Sequence, residues 1–319
     1  MKQIYTFGNY LKDKFGCKVY KVGINISGFT CPNIDGTIAK GGCTFCENDS
    51  FSASTGETKE LKGFHLNLTS QENPYLDKQL KQLEMQFEAI SKRQHVEYGA
   101  QKFLVYFQSF TNTYAPFSTL KALYDKALSF ENVIGLSIGT RSDSITEETL
   151  EYLATLNKEK EIWIEFGIQS IYDETLQKIN RGHDSKNVKE WILKAKAKGL
   201  NVCGHLIFGL PDENRDMMLH TAKVAYSWGI DSVKYHPLYV VKKTALANDF
   251  TKGIFIPISE SEYLDVLIES IKMKPSNVSV QRVTAGIDDN SLLSPQWCKD
   301  KNSQIKKINS ALKPLGLKY

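Results

Sequence analysis

The sequence predicts an α/β fold built on parallel strands, arranged either as a barrel or as an open sheet. Six apolar runs typical of β-strands start near Val19, Lys102, Asn132, Glu161, Asn201 and Ile230. Most of them start about 30 residues apart, which is the length of one strand–helix unit. Several runs are apolar almost throughout, as in strands that are covered on both faces. Strands and helices that alternate in this way favour a parallel arrangement.

Helical periodicity fills the intervals between these strands. Apolar residues step by four and three from Leu76 to Ile90, behind Pro74, which suits a first helical turn. Two later helices are predicted to begin beside Ser118 and Ser144, which suit capping, and a third is predicted to run from Ser185 to Gly199. Gly199 is well placed to end the last of them, because glycine accepts the left-handed backbone of a helix end.

The regular alternation fades after Gly253. The remaining chain shows a helical pattern around Leu264–Ile271, a strand-like run at Val278–Val283 and a last helix at about 302–312. No stretch rich in Pro, Gly and Ser separates this part from the rest. We therefore expect residues 1–250 to form a core barrel or sheet and residues 251–319 to form an extension packed on it, within one structural domain.

The 319-residue chain has the composition of an ordinary globular protein, with 41% hydrophobic and 24% charged residues. It has no apolar run of the roughly 18 residues that cross a bilayer, and no apolar signal core near Met1. We therefore expect a cytoplasmic protein without membrane contact. The formal net charge of +4 permits a polyanionic substrate without demanding one. Short basic clusters such as Lys242-Lys243 more often form a solvated face than a binding site.

Three of the six cysteines, Cys31, Cys43 and Cys46, follow the first predicted strand with the spacing C-x11-C-x2-C. Disulfides are not expected in a cytoplasmic chain. Three thiolates on one loop can hold three irons of a [4Fe–4S] cubane and leave the fourth iron without a protein ligand. Gly41 and Gly42 allow the backbone to approach such a cluster closely. We therefore assign the three cysteines as metal ligands.

A structural zinc site is the alternative for this loop. Such sites normally use four ligands, often in two close pairs, whereas this loop contains a single C-x2-C pair. His65 is a distant candidate for the fourth ligand. The remaining cysteines, Cys17, Cys203 and Cys298, are scattered along the chain and are not expected to bind the metal.

The cysteine spacing and five short stretches resemble the radical S-adenosylmethionine (SAM) superfamily, in particular the bacterial group related to the catalytic domain of the Elongator subunit three. That group shares the long gap before the C-x2-C pair. The five stretches are Tyr106–Tyr114, Gly139–Asp143, Glu165–Ser170, Asn180–His183 and His205–Pro211. The resemblance runs from Gly23 to the last predicted helix. It implies a partial (β/α)6 TIM-like barrel with a C-terminal α/β extension.

The resemblance implies two cofactors, a [4Fe–4S] cluster and SAM. In this superfamily the amine and carboxylate of SAM chelate the open iron. An electron from the reduced cluster then cleaves SAM and yields a 5′-deoxyadenosyl radical, which abstracts hydrogen from the substrate. An electron donor such as a flavodoxin or ferredoxin is implied as a partner, while the oligomeric state stays open.

Contacts to SAM are implied at the carboxyl ends of the strands, where barrel enzymes place their sites. They are expected at Gln108, Thr111, Asn112, Arg141, Glu165, Gln169, Arg181, Gly209 and Leu210. The segment after the second strand departs from the Gly-Gly-Glu form common in the superfamily. Structural roles stay open for two of them: Arg141 can pair with Asp143, and Arg181 can end a helix, where a cation is favourable. A purely structural role is harder to accept for Glu165, because a carboxylate in an apolar run needs a partner.

Relatives in this group act on the wobble uridine of tRNA. Some short bacterial members resemble enzymes that convert carboxymethylaminomethyl-uridine to aminomethyl-uridine, so the resemblance implies tRNA as the substrate. A polar cluster near the sixth strand either faces the substrate or packs a strand end, and it comprises Lys234, Tyr235, His236 and Tyr239. Two alternatives stay open: a radical SAM enzyme for a small metabolite, and a zinc-stabilised nucleic-acid-binding module without catalysis.

Overall fold

The computed structural model describes residues 2–46, 64–287 and 290–319. In chain order its strands are β1 (Lys2–Gln3), β2 (Val19–Ile24), β3 (Lys102–Phe107), β4 (Val133–Thr140), β5 (Glu161–Gln169), β6 (Asn201–Phe208), β7 (Ser232–Pro237), β8 (Val240–Val241), β9 (Ser279–Arg282), β10 (Leu292–Ser294) and β11 (Leu317–Lys318). Seven of them form one parallel sheet in the order β2-β3-β4-β5-β6-β7-β9. All six strands predicted for the core are therefore present, and they pair with their neighbours in sequence order.

Helices occupy the intervals between the strands, as the periodicity predicted. They are α1 (Phe7–Phe15), α2 (Leu76–Tyr98), α3 (Phe117–Leu128), α4 (Glu147–Leu156), α5 (Asp173–Lys178), α6 (Ser185–Ala197), α7 (Arg215–Ser227), α8 (Ala245–Thr251), α9 (Glu260–Met273) and α10 (Lys301–Leu312). Gly199 follows α6 with φ +77°, the left-handed backbone expected of it. In the described ranges, no helix combines the length and the apolar character that crossing a membrane requires.

The sheet curls until its two edge strands approach each other. Lys21 on β2 donates to Gln281 Oε1 on β9 at 2.6 Å, and Thr6 forms an isolated parallel bridge with Val280. Contacts between the first and the last strand of a sheet require strong curvature, so the sheet is a half-barrel. This confirms the predicted partial TIM-like barrel. The seventh strand, β9, comes from the C-terminal extension, which therefore supplies part of the barrel wall.

Strand β5 is buried along almost its whole length, as predicted for a strand covered on both faces. Every residue of the range 161–168 is buried. Its two acidic residues, Glu161 and Glu165, therefore need internal partners. Glu161 accepts hydrogen bonds from Tyr10 Oη and from Trp163 Nε1, both at 2.7 Å. The partners of Glu165 belong to the candidate site.

Two predicted helix starts are wrong by one or two residues. Helix α3 follows Pro116, so Ser118 lies inside the helix and does not cap it. Helix α4 is capped by Thr146, whose hydroxyl accepts from the amide of Thr149 at 3.1 Å. Thr146 has the extended backbone that a cap requires, whereas Ser144 lies in a 3-10 turn just before it.

Candidate active site

A cavity lies at the carboxyl ends of the barrel strands, where enzymes of parallel-barrel folds place their sites. Its lining includes residues that end or follow β3, β4, β5 and β7, namely Gln108, Thr140, Gln169 and Pro237. The same cavity is lined by all three cysteines of the loop that follows β2. The fold therefore brings the clustered cysteines and the ends of several strands to one site.

The cysteine loop turns sharply between Cys31 and Cys46. Gly41 and Gly42 adopt a left-handed backbone, with φ of 84° and 76°, a conformation that glycine accepts at the lowest cost. The amide of Cys46 donates to the carbonyl of Cys43 at 2.9 Å, which closes a tight turn between the paired cysteines. Cys43 is buried, while Cys31 and Cys46 are half-buried. The three cysteines thus line the cavity, and Cys43 is the most shielded from bulk water.

Asn33 ties this loop to the segment that follows α5. Its side-chain amide donates to the carbonyls of Asn180, at 2.5 Å, and Arg181, at 2.9 Å. The side-chain amide of Asn180 donates in turn to the carbonyl of Gly42 at 2.7 Å. Asn33 Nδ2 also lies 3.8 Å from Cys43 Sγ. The position of the cysteines therefore depends on a segment that lies far away in the sequence.

Two buried arginines place positive charge beside the cysteines. Arg181 Nη1 lies 3.9 Å from Cys43 Sγ. Arg141 Nη2 donates to the carbonyl of Arg181 at 2.6 Å, and the Arg141 guanidinium forms a bidentate ion pair with Asp143. Burial opposes the charge of Arg141, but the ion pair with Asp143 outweighs it and raises the pKa of Arg141. Fixed positive charge of this kind favours thiolates over thiols.

The chemistry of the three thiols fits a metal cluster. Burial, together with the neighbouring Cys43 and Cys31, raises the pKa of Cys46 to about 12. Coordination to a metal removes a thiol proton outright, so three adjacent thiolates are stable together around a positive centre. The donor set fits an iron–sulfur cluster. His65, the fourth ligand that a zinc site would need, is exposed and is absent from the described cavity lining.

Three buried polar atoms on the cavity wall have no hydrogen-bond partner within the part of the chain that the structure describes. They are Arg141 Nη1, Gln169 Oε1 and Arg181 Nε. A buried polar group left without a partner costs about 1–3 kcal/mol. The wall therefore fits a polar ligand that supplies the missing bonds. A group that carries both a carboxylate and an amine matches these two donors and one acceptor.

A second cluster is centred on Glu165, which is fully buried. Lys21 of β2 and Lys234 of β7 both form ion pairs with its carboxylate. Ser137 Oγ of β4 donates to Oε1 at 2.6 Å, and His205 Nε2 of β6 lies 2.8 Å from Oε2. The four partners come from four different strands, so the cluster links the inner wall of the half-barrel.

The two lysines keep Glu165 ionised. Burial alone would raise the pKa of its carboxyl group, but Lys21 and Lys234 together hold that pKa well below the usual range. Burial lowers the pKa of Lys21 to about 8, although Glu165 opposes this shift. Burial and the nearby Lys234 lower the pKa of His205 to about 4. At neutral pH the cluster therefore holds one anion, two cations and a neutral imidazole.

Glu165, Cys203 and His205 bring possible metal-ligand atoms within 4.8 Å of one another. Both carboxylate oxygens, however, already face ammonium groups, Oε1 that of Lys21 and Oε2 that of Lys234. A metal ion placed there would be repelled by both lysines. Burial also raises the pKa of the Cys203 thiol to about 12. This group is therefore an ion-pair cluster and not a second metal site.

Most of the residues expected to contact SAM lie on the cavity wall, namely Gln108, Thr111, Arg141, Glu165, Gln169 and Arg181. Asn112, Gly209 and Leu210 are absent from the described lining. Asn112 holds the backbone instead, since its side-chain amide donates to the carbonyls of Phe107 and Gly139, both at 3.0 Å. Leu210 packs in an apolar cluster. A contact between SAM and these three residues stays a prediction.

The ion pair considered for Arg141 is present, and so are the partners that Glu165 was expected to need. Arg141 pairs with Asp143 and still keeps one buried nitrogen without a partner. The buried carboxylate of Glu165 is hydrogen-bonded to Lys21, Ser137, His205 and Lys234. A carboxylate has about four lone-pair sites, and four side chains already donate to that of Glu165. A ribose hydroxyl of SAM would therefore have to displace one of them.

Four residues of the site were missed by sequence reasoning: Lys21, Asn33, Tyr106 and Arg282. The hydroxyl of Tyr106 accepts from Lys234 Nζ at 2.9 Å, and its ring lies 4.5 Å from Lys21 Nζ. A lysine in the middle of an apolar strand is a sign of an internal counter-charge, so Lys21 could have been suspected. Asn33 and Arg282 carry no such sign, because their partners lie far away in the sequence.

Family comparisons agree with this geometry. A model of the radical SAM superfamily matches residues 34–225, and a model of the radical SAM C-terminal domain matches residues 230–314. The first match alone covers more than half of the chain. Cys43 and Cys46 lie within it, while Cys31 lies just before its start. The two matches meet near β7 (Ser232–Pro237), ahead of the boundary expected at residue 250.

Individual relatives point the same way. The chain is 34% identical to YtqA of Bacillus subtilis, over 99% of this chain and 91% of that protein. It is 29% identical to a tRNA uridine(34) acetyltransferase of Methanocaldococcus infernus, over 48% of this chain and 29% of that protein. A solved structure of an N-terminally truncated Elp3 from Methanocaldococcus infernus shares the fold, with a TM-score of 0.60 at 19% identity over 94% of this chain and 64% of that chain. The chain is also 24% identical to Elongator complex protein 3 of Saccharomyces cerevisiae, over 51% of this chain and 31% of that protein, which confirms the expected similarity to Elongator subunit three. The chain belongs to the radical SAM superfamily, whose enzymes use a [4Fe–4S] cluster and SAM.

Proposed function

We propose that this radical SAM enzyme modifies the wobble uridine of tRNA and converts carboxymethylaminomethyl-uridine to aminomethyl-uridine. The observation that carries the tRNA part of the proposal is the similarity to a tRNA uridine(34) acetyltransferase across about half of the chain. The reaction itself is taken from the resemblance to the short bacterial members of the group.

In the net change, the carboxymethyl carbon would lose one hydrogen atom and one electron to give a C=N bond, which water hydrolyses. The amine nitrogen then keeps a hydrogen in place of carbon, and the two-carbon unit leaves as glyoxylate. Cleavage of SAM to methionine and 5′-deoxyadenosine would take up the two electrons. The substrate thus carries a carboxylate beside its phosphates, whereas the product carries the phosphates alone.

The charge of the cavity supports an anionic substrate. Its described lining carries four cationic side chains, Arg141, Arg181, Lys234 and Arg282. Arg141 pairs with Asp143 and Lys234 pairs with Glu165, which leaves Arg181 and Arg282 without a carboxylate partner among the described residues. A cavity dominated by one sign of charge concentrates ligands of the opposite sign. A nucleotide with a carboxylate on its base suits such a cavity, and an uncharged metabolite does not.

The residues on the wall divide the binding of the cofactors between them. The three cysteines of the loop after β2 would hold the cluster, and Arg141, Gln169 and Arg181 would hold the amino-acid end of SAM through their partnerless atoms. When bound, cluster and SAM supply a radical that abstracts hydrogen from the substrate. Apolar side chains of the lining, including Ile207 and Leu238, exclude water from the reacting groups. Radical SAM enzymes need a reductant, for which we propose a flavodoxin or ferredoxin.

Replacing Arg181 with alanine should weaken SAM binding roughly 10- to 100-fold, because one charged hydrogen bond contributes about 1.5–3 kcal/mol. The iron content should stay unchanged, since Asn33 bonds to the backbone carbonyl of Arg181, which alanine keeps. Isothermal titration of the reconstituted protein with SAM, together with an iron assay, checks both parts. Arg215→Ala serves as the matched control, because Arg215 is exposed and pairs with Asp265 on the outer surface. Unchanged SAM affinity in the Arg181→Ala protein would contradict this role.

Lys242 and Lys243 are the residues that we propose for contacts with the tRNA backbone. Both are exposed, and they directly follow β8 (Val240–Val241). The residue before β8, Tyr239, lines the cavity. A base flipped into the cavity would bring its own phosphates close to the rim. We therefore assign these two lysines to phosphate contacts.

The proposal is tested with anaerobically reconstituted protein, SAM, a chemical reductant and tRNA that carries carboxymethylaminomethyl-uridine. Nucleoside mass spectrometry should then detect aminomethyl-uridine. Affinity for tRNA should fall steeply as salt rises, because each phosphate contact releases counterions. The double variant Lys242→Ala, Lys243→Ala should bind tRNA more weakly while cleaving SAM at the wild-type rate without tRNA. If the amount of carboxymethylaminomethyl-uridine does not fall while SAM is still cleaved, this substrate is excluded and a small metabolite is favoured.

A further inference from the structure

We infer that Arg282, together with Lys234 and His236, forms a subsite that binds the carboxylate of the substrate. The inference rests on the proposed function, because the carboxymethylamino group of that substrate ends in a carboxylate. It adds to the proposed function a defined place for this group on the cavity wall. The subsite is built by β7 and β9, and β9 is the strand that the C-terminal extension adds to the barrel.

The sheet register brings the three side chains together. Strands β7 and β9 run parallel, with Lys234 directly opposite Arg282. His236 follows Lys234 by two residues along β7, and alternate residues of a strand share one face. All three residues line the cavity. Arg282 is half-buried and Lys234 is buried.

The positive charge of Arg282 is not balanced by a described carboxylate. Its Nη1 bonds to His236 Nε2 at 2.9 Å. Burial and the nearby Arg282 hold the pKa of His236 well below its usual range, so this partner is neutral. None of the ion pairs between described residues includes Arg282. Lys234, by contrast, pairs with Glu165.

The inner wall therefore carries an excess of positive charge. Lys21, Lys234 and Arg282 contribute three positive charges, and Glu165 contributes one negative charge. Lys234 and Arg282 are register partners on neighbouring strands, and like charges at short range repel each other. An anion between Lys234 and Arg282 would relieve this repulsion. A carboxylate suits the position best, because the planar guanidinium can hold both of its oxygens at once.

The test compares two anticodon stem-loop RNAs that differ only at the wobble base. One carries the carboxymethylaminomethyl group, and the other carries the aminomethyl group, with identical phosphates. Arg282→Ala should raise the Kd of the first RNA about 10- to 100-fold, as expected when a charge-assisted bond is lost, and leave the Kd of the second unchanged. Arg282→Lys should recover part of the loss. An equal loss for both RNAs would assign Arg282 to phosphate binding or to wall structure and overturn the inference.

A second arm probes the subsite without RNA. Iminodiacetate, a small amine with two carboxymethyl groups, should raise the Tm of the wild-type protein and leave that of Arg282→Gln unchanged. Glutamine removes the charge but can still donate to His236, which protects the fold. If iminodiacetate raises the Tm of the wild type alone but the RNA is not converted, the proposed function is wrong and the subsite is supported. Equal protection of both proteins by iminodiacetate would overturn the subsite, whatever the RNA result.

Discussion

Replacing Cys43 with alanine should remove most of the iron and sulfide of the protein and abolish SAM cleavage. Protein purified without oxygen should carry about four irons and four sulfides per chain. Cys43 is the buried member of the three cysteines, and it lies beside Asn33 and Arg181. Loss of one of three thiolates leaves a second iron without a protein ligand, and the cluster is then unstable. Iron and sulfide assays, visible absorbance and release of 5′-deoxyadenosine measure the effect.

Cys17→Ala is the control for this experiment. Cys17 is half-buried and free, like two of the cluster cysteines, but it packs near the N-terminal helix and lies outside the described cavity lining. Its variant should keep the iron, the sulfide and the SAM cleavage of the wild type. A Cys43→Ala protein that retains its full iron content would refute the ligand assignment.

The strands and most helices could be predicted because their pattern is local. Apolar runs at the spacing of strand–helix units indicate a parallel sheet whatever the distant partners are. The curl of the sheet is not local, since it depends on contacts such as the bond from Lys21 to Gln281. The sequence alone therefore left barrel and open sheet as alternatives. The family resemblance decided between them, and the structure confirms the barrel.

The candidate site was predictable in part for the same reason. The C-x11-C-x2-C spacing is a local pattern, and the ends of strands are natural places for ligand contacts. The roles of Arg282 and Asn33 in the site could not be predicted. Arg282 contacts His236 only because β9 pairs with β7, and Asn33 bonds to a segment that starts 147 residues away in the sequence. Glu165 shows the intermediate case. Its place in an apolar run predicted that the carboxylate has a partner. Lys21 and Lys234 could be identified as the partners only once the order of the strands in the sheet was known.

Replacing Glu165 with alanine should destabilise the fold by about 3–5 kcal/mol, the usual cost of removing one partner from a buried ion pair. The ammonium groups of Lys21 and Lys234 would then be largely buried in the barrel wall without the carboxylate that balances their charge. Chemical denaturation at pH 7, followed by circular dichroism, measures the loss. Glu84→Ala is the control, because Glu84 pairs with Lys126 at the surface and should change stability little.

The pH dependence and a double variant separate this ion-pair role from a contact between Glu165 and SAM. The pKa of Glu165 is depressed in the folded protein, so its contribution is complete above the ordinary value of 4.5 and is lost as the pH falls further. The stability difference between wild type and Glu165→Ala should accordingly shrink in acid. Adding Lys234→Met to Glu165→Ala should restore part of the stability, because it removes one stranded cation. If Glu165→Ala instead unfolds at the wild-type denaturant concentration and only its SAM affinity falls, then Glu165 serves the cofactor and the ion-pair role is wrong.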